Sequence, residues 1–188
     1  MAEILLFHHA LELTPGVRAF ADELRAAGHV VHVPDLYEGK TLATVDEGVA
    51  HAREIGFDTI LERGRLAAEG LPNDLVYGGF SLGAMSAQML AQTRPGARGA
   101  LLFHSSMPPS EFGGDWPAGV PFQIHTMEDD DWGDVDVARD LAETIVGCEL
   151  FLYPGDRHLF TDNSFSDYDA AAAALVKQRV LAFLDRVG

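Results

Sequence analysis

With 188 residues, 47% of them hydrophobic, the chain suits one domain with a substantial core. Its formal net charge of −16 argues against nucleic acid or an anionic membrane as partner, because a phosphate surface would repel it, and it disfavours long-range steering of anionic substrates. The lone Cys148 excludes an intrachain disulfide and fits a reducing compartment.

The first apolar run, Ile4-Leu5-Leu6-Phe7, is too short for a signal peptide or a membrane span, so a cytoplasmic location is expected. Val17, Phe20, Ala21 and Leu24 then recur at helical spacing. Thr14 can cap that helix, Pro15 suits its first turn and Gly28 can end it. Further strand-like runs follow: Val30 to Val33, Leu75 to Tyr77, Ala100 to Phe103, Phe122 to His125 and Leu150 to Tyr153. A last helix carries Val176, Val180, Phe183, Leu184 and Val187 on one face, and the alanines at 170–174 open it. Strand–helix alternation of this kind implies an α/β domain, a mostly parallel six-stranded sheet with helices on both faces, whose ligands bind beyond the carboxyl ends of the strands. Two stretches are longer than a simple connection requires, Pro34 to Gly56 and Ser105 to Gly119. Both follow strands, so both are expected at the binding end.

The most informative segment is Tyr77-Gly78-Gly79-Phe80-Ser81-Leu82-Gly83, between an apolar run and the helix-like Ala84-Met85-Ser86-Ala87-Gln88-Met89-Leu90. Gly-x-Ser-x-Gly in a strand–turn–helix context is the nucleophile-elbow pattern. The glycines remove Cβ atoms that would clash in so tight a turn, and the serine hydroxyl sits at a helix N-terminus that favours developing negative charge. Such a serine needs a base, and the base needs an orienting acceptor, in the chain order serine, acid, histidine. Three histidines lie downstream: His104 and His125 end strand-like runs, whereas His158 lies in the turn-rich Tyr153-Pro154-Gly155-Asp156-Arg157-His158, from which it can reach the serine. The acid is expected in Glu128-Asp129-Asp130-Asp131-Trp132. Spacing alone leaves Asp129, Asp130 and Asp131 open. The run lacks the alternating oxygens and glycine of a calcium loop, so no metal is expected.

These segments occur in a telling order. Val31-His32-Val33-Pro34-Asp35-Leu36-Tyr37, the serine motif, the Asp-rich turn, Tyr153-Pro154-Gly155-x-x-His158-x-Phe160 and Asp167-Tyr168-Asp169-Ala170-Ala171 together resemble the dienelactone hydrolase family of α/β-hydrolases over nearly the whole chain. The resemblance implies a single α/β-hydrolase domain over residues 1–188 and sheet order 2-1-3-4-5-6. It implies hydrolysis of a small ester or lactone through a covalent acyl-enzyme, with no cofactor. The family's His-x-x-x-x-Asp pattern, counted from His125, implies Asp130 as triad acid beside Ser81 and His158. The amides of Leu82 and Ala10 are implied as the oxyanion hole. His9, Tyr37, Met107, Trp116, Trp132 and Phe160 are candidate substrate contacts. The family's founding lactonase has cysteine where this chain has Ser81, a glutamate at the position of His9, and a carboxylate-binding arginine at the position of Asp162. The expected substrate is therefore a neutral, short, apolar ester or lactone. A homodimer is compatible with the sequence. A thioesterase or acyl-protein esterase would use the same triad, and a non-catalytic binding module could keep the same fold.

Overall fold

The computed structural model describes residues 1–188. Six parallel strands form one sheet in the order β2-β1-β3-β4-β5-β6. They are β1 (Glu3–Phe7), β2 (Val30–His32), β3 (Val76–Phe80), β4 (Gly99–Phe103), β5 (Phe122–Met127) and β6 (Cys148–Tyr153). Every residue of β3, β4 and β5 is buried, because a parallel sheet is covered on both faces. Alternation along β1 divides the core. Leu5 and Phe7 join one apolar cluster, with side chains of α2 (Val45–Ile55), α3 (Phe57–Ala67), α4 (Leu82–Thr93) and α5 (Val135–Thr144). Ile4 and Leu6 join the other, with α1 (Pro15–Ala26) and α6 (Ala170–Val187).

Local chemistry sets the helix ends. The Thr14 hydroxyl caps α1 by accepting the Val17 N–H, with Pro15 in the first turn, and Gly28 follows at φ +94°. Asp169 caps α6 by accepting two amides. The stretch 34–56 is less irregular than its sequence suggests, because it contains α2, capped by Thr44 and opened by Asp46 and Glu47. Only Gly48 and Ala52 are fully buried in it, but Val45, Val49, Ala52 and Ile55 recur at helical spacing and Val49 and Ile55 pack against the core.

The stretch after β4 behaves differently. It has one short 3₁₀ turn, Pro109–Phe112, and it runs down the outside of α4. The Gln88 side chain binds both the amide and the carbonyl of Met107, and Gln92 one turn further on donates to the Pro109 carbonyl. Parallel strands force this descent, since the chain leaves β4 at the carboxyl edge and must re-enter β5 at the amino edge. No helix is long and apolar enough to cross a membrane.

Candidate active site

Ser81 sits between β3 and α4 at φ +49° and ψ −113°, a backbone conformation that costs a non-glycine residue about 1–3 kcal/mol. The two flanking glycines make this turn possible. A Cβ on Gly79 would overlap the Gly83 carbonyl, and a Cβ on Gly83 would lie 2.5 Å from the His8 carbonyl oxygen. The first turn of α4 therefore packs directly on the end of β1, which brings the loop His8-His9-Ala10 beside the serine. The Ser81 amide donates to the Phe103 carbonyl at 2.7 Å and ties the turn to β4.

The Ser81 hydroxyl and His158 Nε2 are 2.7 Å apart, and His158 Nδ1 is 2.8 Å from Asp130 Oδ2. With the carboxylate accepting at Nδ1, that nitrogen carries the proton and Nε2 is left to accept the Ser81 O–H. The second carboxylate oxygen accepts the Trp132 amide at 2.9 Å. Of the four consecutive acids only Asp130 is buried, and only it meets His158. The turn is placed by extension of the sheet: the Glu128 and Asp129 amides donate to the Tyr153 and Gly155 carbonyls, so the Asp turn and the His158 loop leave side by side. Gly133 closes the turn, where a Cβ would lie 2.9 Å from Asp130 Oδ2. A glycine three residues after the acid was the available sequence signal for it.

The amides of Ala10 and Leu82 donate to no protein acceptor. Leu82 is the first residue of α4, where an N–H has no partner within the helix and lies at the positive end of the helix dipole.

The expected substrate contacts separate sharply. The Trp132 ring is half-exposed and lies 6.4 Å from the His158 ring, so it flanks the base. Met107 is half-buried at the start of the descending stretch. Trp116 does not join the site. It stacks on Phe122, the first residue of β5, at a centroid distance of 3.9 Å. That is the amino edge of the sheet, about 13 Å from Ser81 at ~3.3 Å per strand residue. Its neighbours there line a groove of about 1000 Å³ with Pro121, Leu141 and Ile145, away from the serine. Phe160 is fully buried edge-on against His104 at 4.7 Å and is core. Tyr37 is buried edge-on against the His8 and His51 rings, and burial pushes its hydroxyl up to about 12.

His9 is likewise buried, with both ring nitrogens engaged. Nε2 lies 2.8 Å from Asp162 Oδ2, and Nδ1 accepts the Leu11 amide at 3.3 Å. Asp162 therefore does not face a substrate. Burial alone would raise its carboxyl pKa, but bonds from His9, Ser164 and Thr14 hold it well below the usual carboxylate range. His104, another of the three downstream histidines, is buried between the Phe80, Phe160 and His158 rings at φ +65°. Its Nε2 lies 2.7 Å from the Thr161 hydroxyl, and burial drives its pKa well below that of a free imidazole. No three His, Cys, Asp or Glu side chains converge as a metal site requires.

A parallel sheet with helices on both faces, a serine elbow after β3 and a histidine after the last strand define an α/β-hydrolase. The family model described as the dienelactone hydrolase family matches residues 3–188, and the chain belongs to that family. Membership makes it an enzyme of the hydrolase class. No curated protein sequence matches the chain. Among solved structures it is similar to a dienelactone hydrolase-like promiscuous phosphotriesterase from metagenomic libraries, at TM-score 0.78 and 15% identity, covering 100% of this chain and 87% of that one. It is similar to a dienelactone hydrolase from Anabaena variabilis at TM-score 0.72 and 17% identity, covering 100% and 87%. A thioesterase domain from the curacin biosynthetic pathway aligns at TM-score 0.64 and 16% identity, over 95% and 90%. At these identities the likeness is one of fold.

Proposed function

We propose that the chain hydrolyses a small carboxylic ester or lactone through a Ser81 acyl-enzyme. The observation that carries this reading is the continuous run of hydrogen bonds from the Ser81 hydroxyl through His158 to Asp130, built on a strained backbone. Strain of this kind persists only where surrounding structure enforces it, and it clusters at reacting groups.

In the proposed reaction the Ser81 oxygen attacks the acyl carbonyl while His158 Nε2 takes its proton. The Asp130 carboxylate keeps the imidazole in the Nδ1–H tautomer and stabilises the imidazolium that forms. Negative charge on the former carbonyl oxygen is met by the Leu82 and Ala10 amides, neither of which is committed elsewhere. The acyl C–O bond breaks as His158 returns the proton to the leaving alcohol, or to the ring oxygen of a lactone. Water then attacks the acyl-enzyme, with His158 again as base, and the acid leaves.

The wall beside His158 is the apolar Trp132, and no basic side chain pairs with the triad. With a net charge of −16, this favours a neutral acyl group over a carboxylate-bearing one. The reason lies in the wall and the overall charge, since Asp162 is sequestered by its own donors.

The test is labelling by a fluorophosphonate, followed by a panel of p-nitrophenyl esters, lactones and acyl-CoA thioesters. The expected result is stoichiometric labelling lost in Ser81→Ala, with turnover of neutral short-chain oxygen esters. Turnover of thioesters in preference to oxygen esters would move the assignment to a thioesterase. Labelling that survives in Ser81→Ala would remove the serine from the chemistry.

A further inference from the structure

The two histidines that follow β1, His8 and His9, face away from solvent and take no part in the proton transfers above. Yet they are fully partnered: His8 grips the His9 carbonyl, and His9 takes the Leu11 amide that follows Ala10, so the two rings bond on either side of Ala10. The His8 Nδ1–H donates to the His9 carbonyl at 2.7 Å, while His8 Nε2 accepts the Leu36 amide at 2.9 Å. The His9 carbonyl belongs to the same planar peptide as the Ala10 N–H, and in a trans peptide these two groups point in opposite directions. Gripping the carbonyl from one side therefore aims the Ala10 N–H to the other.

His9 fixes the next link. Its Nδ1 takes the Leu11 amide and its Nε2–H reaches Asp162, four residues after His158. Asp162 is a built anchor. Oδ2 also accepts from the Thr14 hydroxyl, and Oδ1 accepts the Ser164 amide at 2.8 Å and the Ser164 hydroxyl at 2.6 Å. Gly16, in the first turn of α1, leaves the space the carboxylate fills, since any Cβ there would overlap it. The Gly16 amide itself donates to the Ser164 hydroxyl. Three segments thus close around one buried carboxylate: the loop that carries Ala10, the start of α1, and the loop that carries His158.

We propose that His8 and His9 are positioning residues that hold the 9–10 peptide so that the Ala10 amide faces the oxyanion, with His9 tying that peptide to the His158 loop through Asp162. The inference rests on the serine-hydrolase reading above and deepens it. An amide aimed at the oxyanion acts on the transition state more than on bound substrate, so its misalignment lowers kcat and leaves KM nearly unchanged. Loss of one oxyanion donor costs about 10²–10³ in kcat, which bounds the effect.

The experiment measures kcat, KM and the affinity of a short-chain alkyl boronic acid, which mimics the tetrahedral intermediate, in wild type, His8→Leu, His9→Leu and His9→Gln. His9→Leu and His8→Leu are expected to lose about 10²-fold in kcat, to hold KM within about threefold, and to lose boronate affinity in parallel. His9→Gln keeps a donor toward Asp162 and is expected to recover most of the loss. Should a leucine variant not fold, His9→Asn decides: its short amide can still take the Leu11 N–H but cannot reach Asp162, so kcat and boronate affinity are expected to fall together with KM held, and values near wild type would overturn the proposal. Leucine variants with kcat near wild type, or with reduced kcat and unchanged boronate affinity, would overturn the proposal while leaving the Ser81 assignment intact. A wild type that neither hydrolyses esters nor takes a fluorophosphonate would overturn both.

Discussion

Two histidine–aspartate pairs in this molecule are each 2.8 Å long and each buried, and they are built for opposite purposes. His158 gives one nitrogen to Asp130 and keeps the other for the Ser81 hydroxyl. His9 gives one nitrogen to Asp162 and the other to the Leu11 amide. The first pair has a reactive group on its free side; the second has none. The carboxylates differ in the same sense. Asp130 holds one imidazole and one amide, whereas Asp162 is saturated by His9, Thr14 and Ser164. What distinguishes a base from a strut is the occupant of the second nitrogen, and neither burial nor bond length reveals it.

The largest effects should come from breaking the reactive pair. Ser81→Ala and His158→Asn are each expected to lower kcat by about 10⁵–10⁶-fold, because nucleophile and base act as a unit, and the double variant should be little worse than either. Steady-state hydrolysis of a p-nitrophenyl ester measures this. A double variant far slower than both singles would mean that the two do not work as one. Asp130→Asn should cost about 10⁴-fold, through the wrong tautomer and a lost charge. Asp129→Asn and Asp131→Asn should remain within about twofold of wild type, since both side chains are exposed and neither bonds to His158.

The next effect concerns histidines that burial keeps neutral near pH 7. Burial lowers His8 to about 4 and His125, with help from Arg179, to about 3, and it takes His104 well below the ordinary value. In the unfolded chain each returns to about 6.5. Folded values below unfolded ones mean stability that is full above about pH 6.5 and is lost as pH falls toward the folded values. Near pH 5 the unfolded chain then binds about three more protons than the folded one, a slope of about 4 kcal/mol per pH unit. Asp162 adds its own loss only below about pH 5, where an unfolded aspartate begins to protonate. Urea unfolding at pH 7, 6 and 5 should show the slope, and His125→Gln should lower it by about 1.4 kcal/mol per unit. A stability that stays flat from pH 7 to 5 would mean these rings are hydrated or charged in the folded protein.

Much of this was legible before any coordinates. All six strands, their order, the capped first helix and the last helix follow from patterning together with the family resemblance. Ser81 and His158, which lie together in the fold, follow from the motif and the chain order, whereas Asp130 follows only from the family resemblance, since spacing left Asp129 and Asp131 equally open. What patterning could not supply was direction across the sheet. Trp116 was placed with the pocket because its loop follows a strand, yet it lies only six residues before Phe122 and so must already have reached the amino edge. His9, Tyr37 and Phe160 failed for another reason. Each is close to the site in the chain, but its polar atoms or its ring are consumed by neighbours such as Asp162, His8 and His104, which are far apart in sequence. The helix α2 was legible in Val45, Val49, Ala52 and Ile55, which share one face, but the Pro and Gly residues around that stretch give it the look of a loop.

The smallest expected effect tests the one aromatic side chain that the fold leaves beside the base. Trp132 is anchored through its backbone, whose amide caps Asp130, so its side chain can be removed without disturbing the acid. The ring is half-exposed and tilted against His158 at 6.4 Å, where an acyl or aryl group on Ser81 would cover it. Covering about 50 Å² of apolar surface contributes about 1.2 kcal/mol at 25 cal/mol per Å², or roughly eightfold in affinity. Trp132→Ala should therefore raise KM about eightfold for apolar esters and leave kcat within about twofold, the signature of lost uniform binding. For acetate esters, too small to reach the ring, the change should be near zero. Comparing KM across a series from acetyl to hexanoyl esters checks this. A loss that falls on kcat, or that is the same for every chain length, would mean that Trp132 holds the Asp130 turn in place and does not wall the substrate site.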